Sequence, residues 1–484
     1  MRNVFFLFLT LISIAGSSQK GGKPERYAKT ITVADLKKQL YIIAGPEMEG
    51  RETATAGQRK AAAYIESEFK RLGLQPGANG GYQQAFPVYE DSLLDARLEV
   101  DGKSFALDTD FNITMNSSLH ATLRFSEVVF ITPGATPDSV KAMNLAGKLV
   151  MLQAAGGNQV SLLQDKGIAA ILMVSSAYPR TTPVLTKSQM LYAFKKSIRP
   201  QQVTISPAVA QAILKTSLDS AKQVPGLKTY KANVLLDIKK ETTELQSTNV
   251  VGLLPVTDLK EEYLFITAHY DHIGKRDTII NYGADDDGSG VVSIIELAEA
   301  FMKAKAAGNG PRRTLVFMTV SGEEKGLWGS EYYGDHPLFP LDKTTVDLNI
   351  DMIGRIDPKR KIGDSLNYVY VVGDDKLSSD LRTISESINI KYTKLELDYK
   401  YNDPEDKEFI YYRSDHYNFA KNGVPIIFYF NGTHADYHRP TDTPDKINYP
   451  LLAKRAKLVF YTAWEMANRP QMLKRDLPLP ELRR

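Results

Sequence analysis

The second half of the chain alternates short apolar runs with helical segments, and this rhythm constrains the fold more than any other feature. The apolar runs lie at 249–254, 263–268, 314–320, 346–350, 368–372 and 425–430. Runs of this kind suit strands that helices cover on both faces. The apolar residues from Val291 to Met302 recur at helical spacing. We therefore expect an α/β fold, a three-layer sandwich with a mostly parallel central sheet.

The region that precedes this α/β part has a different texture. From about residue 95 to 245, short β-rich runs alternate with turn residues, which indicates a small inserted β-rich domain. Upstream of it, residues 57–72 have helical periodicity, and Gly73 and Pro76 end the pattern. The expected parts are an N-terminal piece of the main domain, the insert, the larger piece of the main domain and a tail. Their limits are 25–94, 95–245, 246–470 and 471–484.

The first residues have the layout of a secretory signal peptide. Arg2 precedes an apolar run at 4–12, and small residues at 15–18 offer a cleavage site. A membrane anchor is the alternative, but the run is shorter than the ~20 residues that a span needs. We expect residues 1–18 to be cleaved, which predicts an exported protein, periplasmic or extracellular, without stable membrane insertion.

Composition excludes several classes of protein. The 484 residues carry a formal net charge of only +3, and no basic stripe with interleaved aromatics occurs, so we expect no nucleic-acid partner. The chain has no cysteine. This excludes a disulfide framework, a thiolate metal site and a cysteine nucleophile.

Acidic residues and histidines directly follow four of the predicted strands. They are His269-Tyr-Asp271, Glu323-Glu324, Asp351, and the segment His434–His438. Ligands gather at the carboxyl ends of strands in open α/β sheets. Imidazoles and carboxylates without thiolates are the donors of catalytic zinc sites. A single acidic pair after a strand is more often a solvated loop or a helix cap, but four such strand ends make that explanation poor.

A glycine-bounded acidic loop, Gly283-Ala-Asp-Asp-Asp-Gly-Ser-Gly290, is the second strong feature. Its acids could simply face the dipole of the following helix, which suits Asp287 better than Asp286. Flanking glycines also let the backbone approach a metal pair closely. A carboxylate that bridges two ions about 3.5–4 Å apart needs such an approach.

Taken in order, these motifs resemble those of the two-zinc aminopeptidases. The matching segments are Glu49-Gly-Arg51, His269-Tyr-Asp271, Gly283–Gly290, Gly322-Glu-Glu324, Asp351-Met and Tyr437-His-Arg-Pro-Thr-Asp442. That family includes secreted bacterial leucyl aminopeptidases, aminopeptidase Y and glutamate carboxypeptidase. The resemblance covers nearly the whole mature chain and implies the zinc exopeptidase fold, which is phosphorylase/hydrolase-like.

The resemblance also implies two Zn²⁺ per chain and a ligand set. His269 and Asp351 would bind one ion, Glu324 and His438 would bind the other, and Asp286 would bridge them.

Further roles follow from the same resemblance. Glu323 would be the general base that accepts a proton from the metal-bridging water, and Tyr437 would hydrogen-bond the developing oxyanion. Asp271 would orient His269, and Arg413 would help to hold the substrate terminus. The family's cis peptide bond would fall at Asp286–Asp287.

The inserted region and three further histidines can also be interpreted from the sequence. The region 95–245 resembles the protease-associated domain often inserted in this family, which would restrict entry to the cleft; an inert spacer is the alternative. Three further histidines of the second half, His272, His336 and His434, are interpreted as structural or solvent-exposed.

The expected function is a secreted zinc exopeptidase with a peptide substrate, most simply an aminopeptidase. A carboxypeptidase or dipeptidase of the same fold is one alternative, and it would need arginines in the cleft for the free carboxylate. A glutaminyl cyclase with a single zinc ion is another. A catalytically dead, receptor-like module, as in transferrin receptor, is disfavoured because all five ligand positions and Glu323 are present.

Overall fold

The computed structural model describes residues 23–114, 120–153, 157–176, 187–191, 200–223 and 225–479. The expected signal peptide, residues 1–18, lies outside the described residues. The chain divides into two compact units, one made of the residues up to Gln84 with those from Thr248 onward, the other Ala85–Ser247. The insert that the sequence indicated at 95–245 falls within this second unit.

The secondary structure alternates as the sequence rhythm indicated. The helices are α1 Pro24–Ala28, α2 Val33–Ile43, α3 Ala56–Leu72, α4 Pro137–Ala142, α5 Gly157–Asp165, α6 Pro207–Leu214, α7 Leu218–Lys222, α8 Ser289–Ala306, α9 Trp328–Asp335, α10 Leu381–Tyr392, α11 His416–Ala420 and α12 Tyr449–Asn468. The strands are β1 Gln75–Pro76, β2 Gln83–Val100, β3 Lys103–Phe105, β4 Phe111–Ile113, β5 Ala121–Ile131, β6 Leu149–Gln153, β7 Ala170–Val174, β8 Lys187–Leu191, β9 Gln201–Ile205, β10 Leu227–Leu254, β11 Leu259–His269, β12 Lys275–Arg276, β13 Ile279–Ile280, β14 Arg313–Val320, β15 Thr344–Ile350, β16 Tyr368–Val372, β17 Glu396–Asp398 and β18 Ile426–Phe430. Within the described residues, no helix has the length and apolarity that crossing a membrane requires.

The sheet of the first unit has the order β17-β16-β18-β15-β11-β14, followed by the last residues of β10. Strands β18, β15, β11 and β14 run parallel to one another. Strand β16 is antiparallel to β18, and β10 is antiparallel to β14. The predicted α/β fold with a mostly parallel central sheet is therefore confirmed.

Helices cover both faces of this sheet. On one face, Leu264 and Ile266 of β11 belong to a buried cluster with residues of α8 and α12. On the other face, the ring of Phe265 lies 5.5 Å from Tyr333 of α9 and 5.2 Å from Phe419 of α11. Because neighbouring residues of a strand point to opposite faces, an apolar run without alternation produces three layers.

The second unit has its own paired strands and its own core. Strands β5, β6, β7 and β9 are parallel, while β4 is antiparallel to β9, and the first part of β10 is antiparallel to β5. Val128, Phe130, Leu172 and Val203 belong to a buried cluster within this unit.

Candidate metal centre

Four adjacent parallel strands end at the same edge of the first unit's sheet. Strand β11 ends in His269, and His269 pairs in register with Val320 at the end of β14. Strand β15 ends directly before Asp351, and β18 ends before the segment that contains His438. Because carboxyl ends of parallel strands share one edge, residues far apart in the chain meet there.

The first donor group forms around His269, whose side chain is buried. Its Nε2 atom lies 3.3 Å from Oδ1 of Asp286 and 3.5 Å from Oδ1 of Asp351. Atoms that bind one zinc ion tetrahedrally, at about 2.0–2.1 Å each, are separated by about 3.3 Å. The spacing of this group therefore fits a cation.

A second donor group forms on the other oxygen of the same aspartate. Nε2 of His438 lies 3.2 Å from Oδ2 of Asp286 and 3.0 Å from Oε2 of Glu324. Oδ2 of Asp286 has no hydrogen-bond partner among the described residues, although its carboxylate is buried. Buried polar atoms are almost always satisfied, so this oxygen fits a metal ligand.

Ligand-competent atoms cluster further at both places. His269, Asp287 and Asp351 offer donor atoms that all lie within 4.8 Å of one another, and so do His272, Asp286 and Glu324. The sequence interpretation gave no metal role to His272, which proves to be fully buried.

Charges within the centre compensate one another. Burial disfavours the charged form of Asp286, but the imidazoles of His269 and His438 outweigh it and hold the pKa of this carboxyl well below its usual range. Burial likewise disfavours a charged His438, yet Asp286 and Glu324 raise the pKa of its imidazole to about 10. The carboxylates of the centre are therefore stabilised by positive charge, which a bound cation supplies in place of protons.

The acidic loop has the backbone that the resemblance implied, with a cis peptide bond at Asp286–Asp287. Oδ2 of Asp442 accepts hydrogen bonds from the backbone N–H groups of Asp285 and Asp286. Oδ1 of Asp287 accepts one from the N–H of Gly290, in the first turn of helix α8. Asp287 therefore acts as the helix-start acid that the dipole interpretation described.

Arg51 fixes the backbone beneath the centre. Its guanidinium is fully buried and donates to the carbonyl oxygens of Tyr270, Tyr282, Gly283 and Ile43. These contacts tie the loop after β11 to the loop that carries Asp286. The sequence offered Arg51 only as part of a motif.

Asp271 and Ser414 support neighbouring groups. Nδ1 of His269 lies 3.1 Å from the backbone oxygen of Asp271 and 3.7 Å from its carboxylate. That carboxylate accepts a hydrogen bond of 3.2 Å from the backbone N–H of Glu323. The hydroxyl of Ser414 donates to Oδ2 of Asp351 at 2.7 Å. Sequence reasoning missed Ser414, and its position directly after Arg413 was the available signal.

A cavity opens at the centre. Its lining comprises Asp286, Glu323, Asp351, Met352, Ile410, Arg413, Phe428, Phe430, Thr433 and Tyr437. The ring of Tyr437 stacks on that of His438 with centroids 3.8 Å apart, and Nη2 of Arg413 lies 3.5 Å from its hydroxyl. Of the remaining histidines, His434 is buried with Nε2 3.3 Å from Asp285, and His336 is exposed. The structure thus brings every predicted site residue to this edge of the sheet.

Comparison with known proteins agrees with this arrangement. A probable leucine aminopeptidase of Trichophyton verrucosum is 31% identical over 214 residues, which are 43% of this chain and 55% of the relative. Aminopeptidase YwaD of Bacillus subtilis is 22% identical over 382 residues, 70% of this chain and 77% of the relative. The chain thus spans about half the length of the fungal relative.

Solved structures share the fold. An aminopeptidase from Aneurinibacillus sp. strain AM-1 superimposes with a TM-score of 0.59 at 19% identity, over 95% of this chain and 99% of that chain. BSAP, a zinc aminopeptidase from Bacillus subtilis, gives 0.54 at 18% identity, over 93% and 99%. Residues 249–463 match the model of peptidase family M28. This segment, which is a little under half of the chain, carries the whole candidate metal-ligand set and is similar to peptidase family M28.

Proposed function

We propose that this chain is an exported, zinc-dependent exopeptidase, and specifically an aminopeptidase that removes N-terminal residues from peptides. The observation that carries the proposal is the pair of donor groups that meet at the two carboxylate oxygens of Asp286. The relatives support the choice of reaction, because both curated relatives described above are named aminopeptidases and a zinc aminopeptidase has the same fold.

In this proposal five side chains hold two zinc ions. His269 and Asp351 would hold one ion, Glu324 and His438 would hold the other, and Asp286 would contribute to both. Bound there, the pair supplies Lewis acidity for the scissile carbonyl and lowers the pKa of water from ~15.7 towards neutrality.

Glu323 acts as the general base. Burial raises the pKa of its carboxyl group well above the usual value; His269 opposes this rise, while Glu324 and Asp351 reinforce it. A base with a raised pKa is suited to take a proton from the attacking water and to pass it to the leaving amine. Asp271 orients His269 and, through its hydrogen bond to the N–H of Glu323, also fixes the backbone that carries the base.

Tyr437 and Arg413 act on the substrate. The hydroxyl of Tyr437 donates a hydrogen bond to the oxyanion that develops on the carbonyl oxygen. Arg413 helps to hold the substrate terminus from beside that hydroxyl. The carboxypeptidase alternative needs a cluster of arginines, whereas Arg413 is the one basic residue that lines the cavity in the part of the chain described.

The proposal extends to the outlying parts of the chain. Cleavage of residues 1–18 delivers the mature protein outside the cytoplasm, and N-terminal sequencing of the mature protein tests this. The unit Ala85–Ser247 is the counterpart of the protease-associated domain, or else an inert spacer.

A kinetic comparison tests the reaction. The zinc-loaded protein is offered aminoacyl-anilides, N-blocked peptides and N-terminal glutaminyl peptides. Release only from free N-termini supports an aminopeptidase. Hydrolysis of blocked peptides would establish the carboxypeptidase alternative, and ring closure without hydrolysis would establish the cyclase.

Replacement of the base tests the mechanism separately. Glu323→Gln should lower kcat by roughly 10²–10⁴-fold, as loss of a general base does, with the zinc content unchanged. Glu261→Gln, on an exposed side chain, is the matched control and should retain activity. Loss of zinc in the Glu323 variant would mean that its role is misassigned.

A further inference from the structure

His272 lies at the second donor group without a role in the mechanism above. Its side chain has no exposed surface. Its Nδ1 atom is 2.7 Å from Oε1 of Glu324 and 3.8 Å from Oδ2 of Asp286. These are the same two carboxylates that face His438.

The contact with Glu324 does not have the geometry of a hydrogen bond. Neither ring nitrogen of His272 nor Oε1 of Glu324 makes a well-directed hydrogen bond among the described residues. A buried nitrogen and a buried carboxylate oxygen without hydrogen bonds carry a desolvation penalty. Coordination of a common cation by both atoms removes it.

Each of the two imidazoles, His272 and His438, lies at a ligand-like distance from the same two carboxylates. Two atoms bound to an ion at about 2.0–2.2 Å each are at most about 4.4 Å apart. The contacts of His272 and His438 with Asp286 and Glu324 range from 2.7 to 3.8 Å, within that limit. The two imidazole rings are inclined by 69° with centroids 5.9 Å apart, so they approach from different directions.

The acidic loop is also shaped around this imidazole. Gly283 has φ +56°, and a Cβ atom there would lie 2.5 Å from Cγ of His272. The loop that carries Asp286 therefore packs directly on the ring and fixes its position.

We propose that His272 is a fourth protein ligand of the second cation, together with Asp286, Glu324 and His438. This inference rests on the proposed function of the centre as a cation pair. It makes the pair unequal, because the ligands proposed for the first cation are His269, Asp286 and Asp351, whereas Asp287 accepts hydrogen bonds from the backbone N–H groups of Gly290 and Met352. Catalytic zinc sites keep three protein ligands and an open position, whereas closed sites have four. The second cation thus binds more tightly, and the first keeps the open position.

Metal titration of the full-length protein tests the inference without any measure of activity. The chelator-stripped protein is titrated with Zn²⁺ against a chromophoric competitor, and with Co²⁺ while its visible absorption is recorded. The wild type should show two classes of site, the tighter one filling first. His272→Asn should weaken the tighter class by more than about 100-fold, beyond the 10–100-fold typical of groups that only support a ligand.

Two further variants decide between coordination and hydrogen bonding. His272→Asp restores an anionic ligand, and it should regain most of the tight binding and the cobalt spectrum. His336→Asn, an exposed histidine of the same unit, should bind both ions as the wild type does. Circular dichroism of the stripped proteins verifies that each variant is folded.

The inference is overturned if His272→Asn keeps the tight class, because an asparagine amide donates a hydrogen bond but is a poor zinc ligand. It is equally overturned if His272→Asp binds no better than His272→Asn. A wild type that binds fewer than two ions would instead contradict the cation pair itself, and with it the proposed function.

Discussion

The acidic loop and the helix α8 that follows it each contain a buried carboxylate, and the two carboxylates have different surroundings. In the loop, Asp286 faces two imidazoles, and Arg51 lies fully buried beneath it. In the middle of helix α8, Oε1 of Glu296 receives only one long hydrogen bond, 3.4 Å from Gln39, and its Oε2 has no hydrogen-bond partner among the described residues. Burial, reinforced by Asp35 and Glu299, raises the pKa of Glu296 to about 8.

The difference shows what separates a functional cluster of acids from an incidental buried acid. Carboxylates surrounded by cationic groups and N–H donors remain ionised and can bind a metal. A carboxyl group without such partners keeps its proton instead. The number of buried acids alone does not distinguish the two regions.

Of the changes considered, removal of the metal from the acidic loop's centre should have the largest effect on activity and stability. Chelation should abolish peptidase activity and lower the melting temperature, because a ligand at 1,000 times its Kd stabilises the folded state by about 4 kcal/mol. Readdition of Zn²⁺ should restore both, as measured by calorimetry and an activity assay. A melting temperature that chelator leaves unchanged would place the metal outside the folded core.

The second-largest effect should follow from loss of the buried guanidinium of Arg51. Arg51→Met removes the hydrogen-bond donor of four carbonyl oxygens, those of Tyr270, Tyr282, Gly283 and Ile43. It should therefore lower the free energy of unfolding by about 3 kcal/mol or more. It should also weaken zinc binding, because the loop that carries Asp286 loses its support. Denaturant unfolding and metal competition measure the two effects.

Arg313→Met is the matched control for that variant. Arg313 is also buried and donates to backbone carbonyl groups, those of Met466 and Arg469, away from the centre. It should lose stability while zinc affinity stays unchanged. Equal loss of zinc affinity in both variants would mean that Arg51 acts only through global stability.

A smaller effect is expected from the hydroxyl that supports Asp351. Ser414→Ala removes the 2.7 Å hydrogen bond to Oδ2 and should weaken zinc binding about 10-fold, as loss of a group that orients a ligand does. Ser293→Ala, which removes a buried hydroxyl bonded to the backbone of Ser289, is the control. Identical zinc affinities in the two variants would exclude an orienting role.

The smallest effect concerns the uncompensated acid. Because burial raises the pKa of Glu296 in the folded state to about 8 from its usual 4.5, stability should fall as the pH rises between these values and then level off. Glu296→Gln should therefore raise the melting temperature by roughly 2–5 °C at pH 9 and leave it unchanged at pH 4. Glu261→Gln, on an exposed carboxylate, should give no such gain. A gain at both pH values would point to packing instead of charge.

The strand rhythm predicted the fold and the edge where the candidate ligands meet, because apolar runs and their polar ends are local features of the sequence. The ligand role that we propose for His272 was not predictable, since a histidine beside a motif has no signature until the fold buries it against Glu324. Ser414 was also missed, although its position directly after Arg413 was a usable signal. The unit boundaries at residues 85 and 247 were also not visible, because they fall inside the continuous strands β2 and β10, where no turn signal marks them.

A count of bound zinc tests the central claim most directly. Elemental analysis of the reconstituted, desalted wild type should find two zinc ions per chain. Asp286→Ala should retain neither tightly, because its carboxylate faces both donor groups. Asp357→Asn, a buried aspartate hydrogen-bonded to Tyr370, should keep both. Fewer than two ions in the wild type, or two ions retained by Asp286→Ala, would contradict the account.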